Sequence, residues 1–358
     1  MEHTDATFHV APSLGHLKHM TDRVGLVQHA RLGEPFYDEG YSIDDNARAL
    51  TLMCDLSQEE NGDHADLADL ASRYLVYVTD AWNPASKRFR NFKSAELQWL
   101  EEQGSEDCHG RALHALGHAA NCTAWNDIAA DARSSFEEAL ASTASFTSPR
   151  AWAFTLFGID EYLQSGEDQC CAAQYRSLLA RRLLNLYQLI ATDDWPWLEE
   201  VLTYCNAKLP HALLRSGYAM GRDDMIETAL GMITWLAEIH TGDTRNFVPI
   251  GSNGFYPKNG HRAVFDQQPI EAHAIVASSL DAYRLTSDRF WFDEAIRAFQ
   301  WFLGHNHLGI PVGNPETGAC YDGLHQDRPN LNLGAESTLA YLLSCAEMRN
   351  HASACRAR

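Results

Sequence analysis

The chain has 358 residues, of which 45% are hydrophobic and 10% aromatic, a composition that supports a folded core and excludes a disordered chain. Its formal net charge of −20 disfavours nucleic acid and anionic membranes as partners, because both require a basic surface that releases counterions. No apolar run approaches the roughly 20 residues that span a bilayer, so no membrane association is expected.

The amino-terminal residues and the cysteines bear on cellular location. Met1–Asp5 lack the basic start and apolar centre of a secretory signal, so a cytoplasmic protein is expected. Cys54, Cys122, Cys205 and Cys345 fall at apolar positions of helical patterns, where reduced thiols pack as small hydrophobic groups. The cysteine spacing matches no zinc motif and there is no His-Glu-x-x-His sequence, so neither a metal nor a cofactor is predicted.

Apolar residues recur at helical spacing along most of the chain. The predicted helices cover residues 12–20, 43–56, 65–82, 107–121, 126–144, 149–165, 170–190, 198–217, 222–239, 268–286, 289–303 and 334–349. Strand signals are weak, although 245–250 could form a short strand or an extended loop. The longest intervening stretches, 83–106, 240–267 and 304–333, are read as ordered loops. The pattern predicts an all-α fold of about twelve helices in a single domain, 1–358.

A polar cluster lies at the start of every second predicted helix. The six clusters are Asp44–Asp45–Asn46, Glu106–Asp107–Cys108–His109, Ser148–Pro149–Arg150, Trp195–Pro196–Trp197, Asp266–Gln267–Gln268–Pro269 and Gly334–Ala335–Glu336. This rhythm is typical of a ring of alternating inner and outer helices whose inner starts line one mouth. Acidic residues in a first turn also complement the helix dipole, so any single acid is explained equally well by capping. Capping does not require the adjacent amide, arginine and histidine side chains.

The acids at these helix starts are candidates for glycosidic bond cleavage. That reaction needs one carboxylic acid to protonate the leaving oxygen and one carboxylate that acts as base or nucleophile. Asp45 and Asp107 are predicted as this pair, with Asp266 as the competing acid. Different inner helices suit the separation of roughly 6.5–9.5 Å that an inverting enzyme requires. The spacings of Asp44 with Arg48 and of Asp107 with Arg111 also permit simple salt bridges.

Aromatic and polar side chains near the predicted mouth are candidates for sugar binding. An indole offers apolar area to the C–H face of a sugar, while amides and carboxylates bind its hydroxyl groups. The predicted substrate-binding residues are Asp44, Asn46, Arg48, Glu106, His109, Arg111, Trp195, Trp197, Glu200, Asn206, Tyr256, His261, Gln267, Gln268, Glu271 and Glu336. Trp195 and Trp197 could equally be core residues, and the partners of Gln267 and Glu271 could be protein groups.

Several of these segments resemble a known group of proteins. Asp22–Ala30, Gly40–Leu50, Ser105–Leu113 and Gly334–Thr338 are similar to bacterial (α/α)6-barrel proteins described as glycosidase-like or glycosyltransferase-associated, and Trp301–Gly304 and Asp322–His325 fit the same pattern. The resemblance implies an (α/α)6 barrel with long loops at one mouth, where a saccharide binds to inner helix ends. The wider class contains inverting glycosidases, unsaturated-glycoside hydrolases, phosphorylases and N-acyl-sugar epimerases, so the resemblance leaves the reaction open.

The leading hypothesis from the sequence is an inverting glycoside hydrolase that cleaves a short oligosaccharide. A sugar epimerase or phosphorylase on the same fold is the alternative, and an epimerase would use His109, His261 or His273 for proton transfer at carbon. A non-catalytic carbohydrate-binding toroid is a further alternative. The identity of the sugar, its linkage and the oligomeric state are left open by the sequence.

Overall fold

A computed structural model of the chain describes residues 13–58, 64–166 and 170–356. Met1–Asp5 and the first residue of the predicted helix 12–20 lie outside this part of the chain. The helices are α1 Gly15–His19, α2 Ile43–Leu56, α3 His64–Asp80, α4 Glu106–Ala120, α5 Asn126–Leu140, α6 Pro149–Gln164, α7 Cys170–Ile190, α8 Lys208–Met220, α9 Asp223–Ile239, α10 Pro269–Thr286, α11 Arg289–Phe302 and α12 Ala335–Arg356.

The strands in the described residues are two residues long and lie in the connections between helices. They are β1 Ala30–Arg31, β2 Glu34–Pro35, β3 Tyr41–Ser42, β4 Trp82–Asn83, β5 Arg88–Phe89, β6 Phe92–Lys93, β7 Val201–Leu202, β8 Tyr256–Pro257, β9 Gly323–Leu324 and β10 Pro329–Asn330. Antiparallel pairs join β3 with β6, β4 with β5, β7 with β8, and β9 with β10. Each of the three long predicted loops therefore contains at least one paired strand.

The structure confirms the predicted helices and corrects three of their boundaries. The helix predicted over 334–349 continues to Arg356. The helix predicted over 198–217 begins only at Lys208, because β7 and a turn with a positive φ at Cys205 occupy the residues before it. The helix predicted over 126–144 ends at Leu140 and continues as a 3₁₀ turn over Ala141–Ser145. Residues 245–250 form an extended loop, in which Phe247 makes an isolated bridge with Thr241.

The chain forms two compact units. We call Met20–His29 with Pro35–Leu183 the N-unit. The C-unit comprises the described residues up to His19, Ala30–Glu34 and the chain from Leu184 onward. The expectation that 1–358 acts as a single catalytic domain remains a prediction.

Alternate helices pack against one another within the N-unit. Helix α4 packs against both α2 and α6, while α3 packs on α2 and α5 packs on α4. Helices α2, α4 and α6, of which α4 packs against the other two, are those that begin with the polar clusters, so the rhythm in the sequence corresponds to an alternation of packing. Their apolar faces are buried, including Leu50, Leu116 and Phe157.

Helices α4 and α6 approach each other at backbone distance. A Cβ atom built on Gly117 would lie 2.1 Å from the carbonyl oxygen of Gly158, and one built on Gly158 would lie 2.2 Å from that of Leu113. Only glycine permits this approach, because any side chain would overlap the facing backbone. The two glycines are therefore required by packing rather than by helix termination.

The C-unit repeats the same alternation with its own helices. Helix α10 packs against α8 and α12, with α9 on α8, α11 on α10 and α1 on α12. Pro269 occupies the first turn of α10, where its missing N–H is not needed, and Gly221 ends α8 in the left-handed conformation. Trp197, Trp301 and Phe302 are among the largest fully buried side chains of this unit.

Candidate active site

Serine side chains cap the three helices that carry polar clusters in the N-unit. The hydroxyl oxygens of Ser42, Ser105 and Ser148 accept hydrogen bonds from the backbone N–H three residues further on, at 3.2, 3.0 and 3.3 Å. Each cap fixes a helix start, so that the residues of the following turn project from a defined position. The polar side chains in the first turns of α2, α4 and α6 therefore project from helices that are neighbours in the fold.

Asp45 lies in a buried ion pair. Its Oδ1 accepts from the Arg48 guanidinium at 2.9 Å and its Oδ2 accepts from the Ser42 hydroxyl at 2.6 Å. The two charged side chains are only 5% and 11% exposed. A general acid must come within hydrogen-bond reach of its substrate, and this buried pairing argues against such a role for Asp45. The catalytic role of Asp45 and the sugar contact of Arg48 stay predictions. Asn46 is fully buried and binds the backbone of Leu26 and Ser42.

Asp44, one residue earlier, is more accessible than Asp45. Its Oδ2 lies 3.4 Å from Nε of Arg111, and its side chain is 28% exposed. Arg111 is buried, with its guanidinium carbon 4.0 Å from the centre of the Phe154 ring. This pair links the starts of α2 and α4, and only the carboxylate is open to a ligand.

The second cluster binds the start of α6. Oε2 of Glu106 accepts from the backbone N–H groups of Thr147 and Ser148, both at 2.7 Å. Oδ1 of Asp107 accepts from the Ser148 hydroxyl at 2.5 Å. Both carboxylates are half-buried, so Asp107 keeps some access to solvent while Glu106 acts mainly as a cap.

His109 lies in the core of the N-unit. Its side chain has no exposure, and its Nε2 lies 3.2 Å from the carbonyl oxygen of Ala139. Burial lowers the pKa of His109 to about 3, so the ring is neutral between Phe89 and Phe146. His109 therefore packs in this core, and its roles in sugar binding or proton transfer stay predictions that this burial does not favour.

The predicted indole platform is part of the C-unit core. Trp195 and Trp197 are 4% and 0% exposed. Both rings contact Trp235, and Trp195 also packs edge-to-face against Tyr256 at 5.1 Å. Their burial favours the alternative that both are core residues, and their sugar-binding role stays a prediction. Tyr256 itself is half-buried on the outside of this cluster.

Three further predicted binding residues have internal partners in the C-unit. Oε2 of Glu271 accepts from Nδ2 of Asn206 at 3.1 Å, and its Oε1 accepts from the backbone N–H of Cys205. Oε1 of Gln267 accepts from the indole N–H of Trp301 at 2.9 Å. Since Glu271, Asn206 and Gln267 are at most 2% exposed, they position backbone and core rather than a sugar.

The remaining predicted residues of the C-unit are accessible. Glu200, His261 and Glu336 are exposed, and Glu200 lies 3.9 Å from the Lys258 ammonium. His273, considered for proton transfer, is 8% exposed and pairs with Glu347 at 3.3 Å. That buried pair removes His273 from reach of a bound sugar.

Asp266 and Gln268 belong to a small three-stranded patch. Gln267 and Leu324 exchange two backbone hydrogen bonds of 2.9 Å, which adds 266–268 to the antiparallel pair β9–β10. The side chains of Gln267 and Leu324 face the core and have no exposure. Because side chains alternate along a strand, the neighbours of these two residues project from the opposite, accessible face. This polar face contains Asp266, Gln268, Gly323, His325 and Asn330.

A histidine–carboxylate dyad lies on the polar face. Nδ1 of His325 is 2.7 Å from Oδ1 of Asp266, and the two side chains are 31% and 36% exposed. The carboxylate fixes Nδ1 as the protonated ring nitrogen, which leaves Nε2 as a proton acceptor. Within the C-unit, this dyad combines a defined proton-transfer geometry with access for a ligand.

Sequence reasoning assigned no role to His325 and Ser148. His325 was recognised only within the segment Asp322–His325, and its partner Asp266 is 59 residues away in sequence. The loop 304–333 is too long to be a simple connection, and His325 lies in it two residues after Gly323. These two features are the signal in the sequence that could have marked His325 as a functional residue. Ser148 was assigned to a helix start, but its hydrogen bond to Asp107 depends on the packing of α4 against α6.

Three buried histidines are expected to make the fold sensitive to acid. Burial lowers the pKa of His109 to about 3, that of His211 to about 4 and that of His240 well below its usual value. The unfolded chain binds these protons near pH 6.5, so stability is present above that pH and is lost as the pH falls. Three such groups together cost about 3 kcal/mol between pH 6.5 and 5.5, because the unfolded histidines are already half-protonated at pH 6.5.

The measurement is urea unfolding at pH 7.5, 6.5 and 5.5. The matched variant is His240→Phe, because both ring nitrogens of His240 are buried without a hydrogen-bond partner and its ring packs on Phe247 at 5.2 Å. Phenylalanine keeps this packing and should remove about a third of the dependence of the free energy of unfolding on pH. An unchanged slope in the variant would exclude His240 as a source of the acid sensitivity.

The described residues contain neither a candidate metal-binding cluster nor a candidate membrane-spanning helix. In the part of the chain with assigned structure, no group of three or more His, Cys, Asp or Glu side chains is arranged to hold a metal ion. None of the helices in that part is both long and apolar enough to cross a membrane.

Comparison with known proteins gives the fold. No protein-family model and no curated protein matches the chain. A sugar epimerase from a ruminal bacterium is similar with a TM-score of 0.70 and 12% identity, over 97% of this chain and 98% of that one. Cellobiose 2-epimerase from Spirochaeta thermophila is similar with a TM-score of 0.69 and 11% identity, over 94% of this chain and 92% of that one. A GH76 α-mannanase from Bacteroides thetaiotaomicron is similar with a TM-score of 0.57 and 13% identity, over 88% of each chain.

These identities are too low to transfer an activity, but the coverage includes nearly the whole chain. The helices of the described residues, their short strand pairs and this likeness confirm the predicted fold class. The protein has the all-α fold of the (α/α)6-barrel enzymes.

Proposed function

We propose that the protein is a carbohydrate-processing enzyme that transfers a proton at a sugar carbon next to a carbonyl group, as an epimerase or isomerase. The observation that carries this proposal is the accessible Asp266–His325 dyad on the polar face of the C-unit. The sequence hypothesis of a hydrolase rested partly on Asp45, which is sealed in an ion pair. The dyad offers a better acid–base group than that carboxylate.

The chemistry requires a base that is neutral before reaction and stabilised once protonated. Nε2 of His325 would take the proton from C2 of an open-chain aldose, while the C–H electron pair moves toward C1 and charge develops on the carbonyl oxygen. Asp266 would stabilise the resulting imidazolium through Nδ1–H. Return of the proton to C1, with transfer of the O2 hydroxyl proton to O1, gives the ketose. Delivery of the proton to the other face of C2 restores the C1 aldehyde and gives the epimer.

The similar structures support this reaction class. Three of them are a sugar epimerase, a D-mannose isomerase and a cellobiose 2-epimerase, with TM-scores of 0.70, 0.69 and 0.69. The acidic net charge favours a neutral ligand over a phosphorylated one. A free, unphosphorylated sugar agrees with both the similar structures and the acidic net charge.

The test is solvent exchange at carbon. Purified protein is incubated in D₂O with D-mannose, D-glucose or cellobiose, and proton NMR follows the C2–H signal and the appearance of an epimer or ketose. We expect deuterium at C2 of at least one sugar. Release of monosaccharide from cellobiose without any exchange would overturn the proposal in favour of a hydrolase, and binding without conversion would favour a carbohydrate-binding protein.

A glycoside hydrolase remains the second candidate function. The observation in its favour is that Asp44 and Asp107, both partly accessible, lie in the first turns of the packed helices α2 and α4. Such carboxylates could supply a general acid and a base. A GH76 α-mannanase and a cellulase Cel9M are among the similar structures. Loss of oligosaccharide cleavage in Asp107→Asn would support this candidate.

A further inference from the structure

Two thiols of the N-unit meet where the end of α2 lies beside the connection between α4 and α5. Cys54 is in the last turn of α2, and Cys122 lies in the connection, two residues after α4 ends. Both are free cysteines, and their side chains hydrogen-bond each other. Sequence reasoning assigned them to packing alone, and neither belongs to the sites described above.

Ser57, the residue that follows α2, fixes the placement of the two cysteines. Its Oγ lies 2.7 Å from the carbonyl oxygen of Cys54 and 3.5 Å from Sγ of Cys122. A hydroxyl group has one proton, so it donates to the carbonyl while the Cys122 thiol is neutral and can turn toward the sulfur once that thiol ionises. Ser57 therefore holds the Cys122 sulfur against the last turn of α2 in both states.

The surroundings of the Cys122 sulfur stabilise a thiolate. The hydrogen bond from the Cys54 thiol lowers the pKa of Cys122 most, and burial opposes it. The further donors to this sulfur are the Ser57 hydroxyl group and the backbone N–H groups of Ala124 and Trp125. The same hydrogen bond, together with burial, raises the pKa of Cys54, so Cys122 ionises first.

Access to this sulfur is narrow. Cys122 and Cys54 are only 4% and 2% exposed, but Thr123 and Ala124, which follow Cys122, are exposed. A molecule as small as hydrogen peroxide needs only a slight movement of this turn to reach the sulfur, whereas bulky reagents are held out. A stabilised thiolate beside a second thiol is typical of redox-sensitive cysteines.

We propose that Cys122 is a site of reversible oxidation by hydroperoxides and that Cys54 is its resolving thiol. The Cys122 thiolate attacks one oxygen of hydrogen peroxide, the O–O bond breaks, and a sulfenic acid and hydroxide form. The Cys54 sulfur then attacks the sulfenic sulfur, the S–S bond forms, and the hydroxyl group leaves as water with the Cys54 proton. The two thiols lose two electrons in total, the peroxide is reduced to water, and a dithiol reductant reverses the reaction. This inference does not depend on the proposed function.

The test treats the reduced full chain with hydrogen peroxide, blocks the remaining thiols in urea and identifies linked peptides by mass spectrometry. We expect a Cys54–Cys122 disulfide that dithiothreitol removes. This disulfide should raise the urea midpoint of unfolding, because it constrains the unfolded chain between residues 54 and 122. Oxidation of the exposed Cys170 and Cys171 by excess peroxide, with Cys54 and Cys122 still unlinked, would overturn the proposal.

Two serine variants test the order of the steps. Cys54→Ser should leave oxidised Cys122 as a sulfenic acid, which dimedone labels when it is added with urea. Cys122→Ser should give no such adduct at Cys54. Labelling of Cys54 in preference to Cys122 would contradict the assigned roles.

Ser57→Ala tests the stabilisation of the thiolate. In the wild-type protein, the rate of disulfide formation should have its pH midpoint below about 7. The variant should raise this midpoint by roughly 0.5–1 unit, because the charged sulfur loses one hydrogen bond. Ser165→Ala is the matched control, since the Ser165 hydroxyl donates at the end of α6 to the carbonyl oxygen of Tyr162, also at 2.7 Å. Equal midpoints in the two variants, or a wild-type midpoint near the 8.5 of an ordinary thiol, would exclude a thiolate held by Ser57.

Discussion

Replacing His325 with alanine should lower the rate of C2–H exchange by roughly 10² to 10⁴-fold, which is the usual contribution of a positioned general base. The physical reason is that Nε2 of His325 is the proposed proton acceptor, held by the 2.7 Å contact between Nδ1 and Asp266. The side chain is 31% exposed, so its removal should leave the free energy of unfolding nearly unchanged. The measurement is deuterium incorporation by NMR, with urea unfolding in parallel.

Asp266→Asn gives a sharper version of this experiment. The amide still occupies the space of the carboxylate, but it no longer stabilises the imidazolium and can favour the wrong ring tautomer. We expect a lower kcat with little change in KM. His305→Ala is the control, since His305 is exposed and outside the site. Normal exchange in both His325→Ala and Asp266→Asn would remove the dyad from the mechanism.

Replacing Arg48 with methionine should destabilise the fold by about 3–5 kcal/mol, because a buried carboxylate then loses its countercharge. The Asp45 side chain is 5% exposed and lies 2.9 Å from the Arg48 guanidinium. Methionine preserves most of the aliphatic volume, so the loss reports charge rather than packing. The measurement is the midpoint of urea unfolding and the derived free energy.

A double-mutant cycle separates pairing from burial. Asp45→Asn combined with Arg48→Met removes both charges, and this double variant should recover most of the stability lost in Arg48→Met alone. The cycle also tests the original catalytic assignment, because a purely structural Asp45 predicts an active double variant. A stable but inactive double variant would return Asp45 to the catalytic candidates.

The fold could be predicted because the relevant signals are local. Apolar spacing located helices such as α2 and α9 within a few residues, and Ser42, Ser148 and Pro269 marked helix starts by the chemistry of the first turn. The predicted start of α8 is wrong because the apolar pair Val201–Leu202 fits a helix and a strand equally well, and the structure places it in β7. Its pairing partner Tyr256–Pro257 is more than 50 residues away.

The site was harder to predict because exposure does not follow from residue type. Asp45 and Asp107 both lie in the first turns of their helices, yet an arginine one turn later pairs with the first and the serine that caps another helix binds the second. Trp197 has the chemistry of a sugar platform but is fully buried. Only tertiary packing distinguishes a side chain that faces a ligand from one that faces the core.

His325 illustrates the same limitation from the opposite direction. Its importance comes from a ladder that joins 266–268 to β9, and such long-range pairing has no signature within either segment. The polar and glycine-rich character of 304–333 predicted an ordered loop. It did not identify which acid would meet the histidine.

The direct backbone contact of Gly117 with Gly158 also limits how the N-unit can respond to a ligand. Interfaces built from long side chains can slide by repacking rotamers, but two touching main chains have no such freedom. Helices α4 and α6 should therefore move together as one rigid body during turnover. Any closure over a substrate bound to this unit would therefore come from movement of the connections between helices. Amide hydrogen exchange should be fastest in these connections.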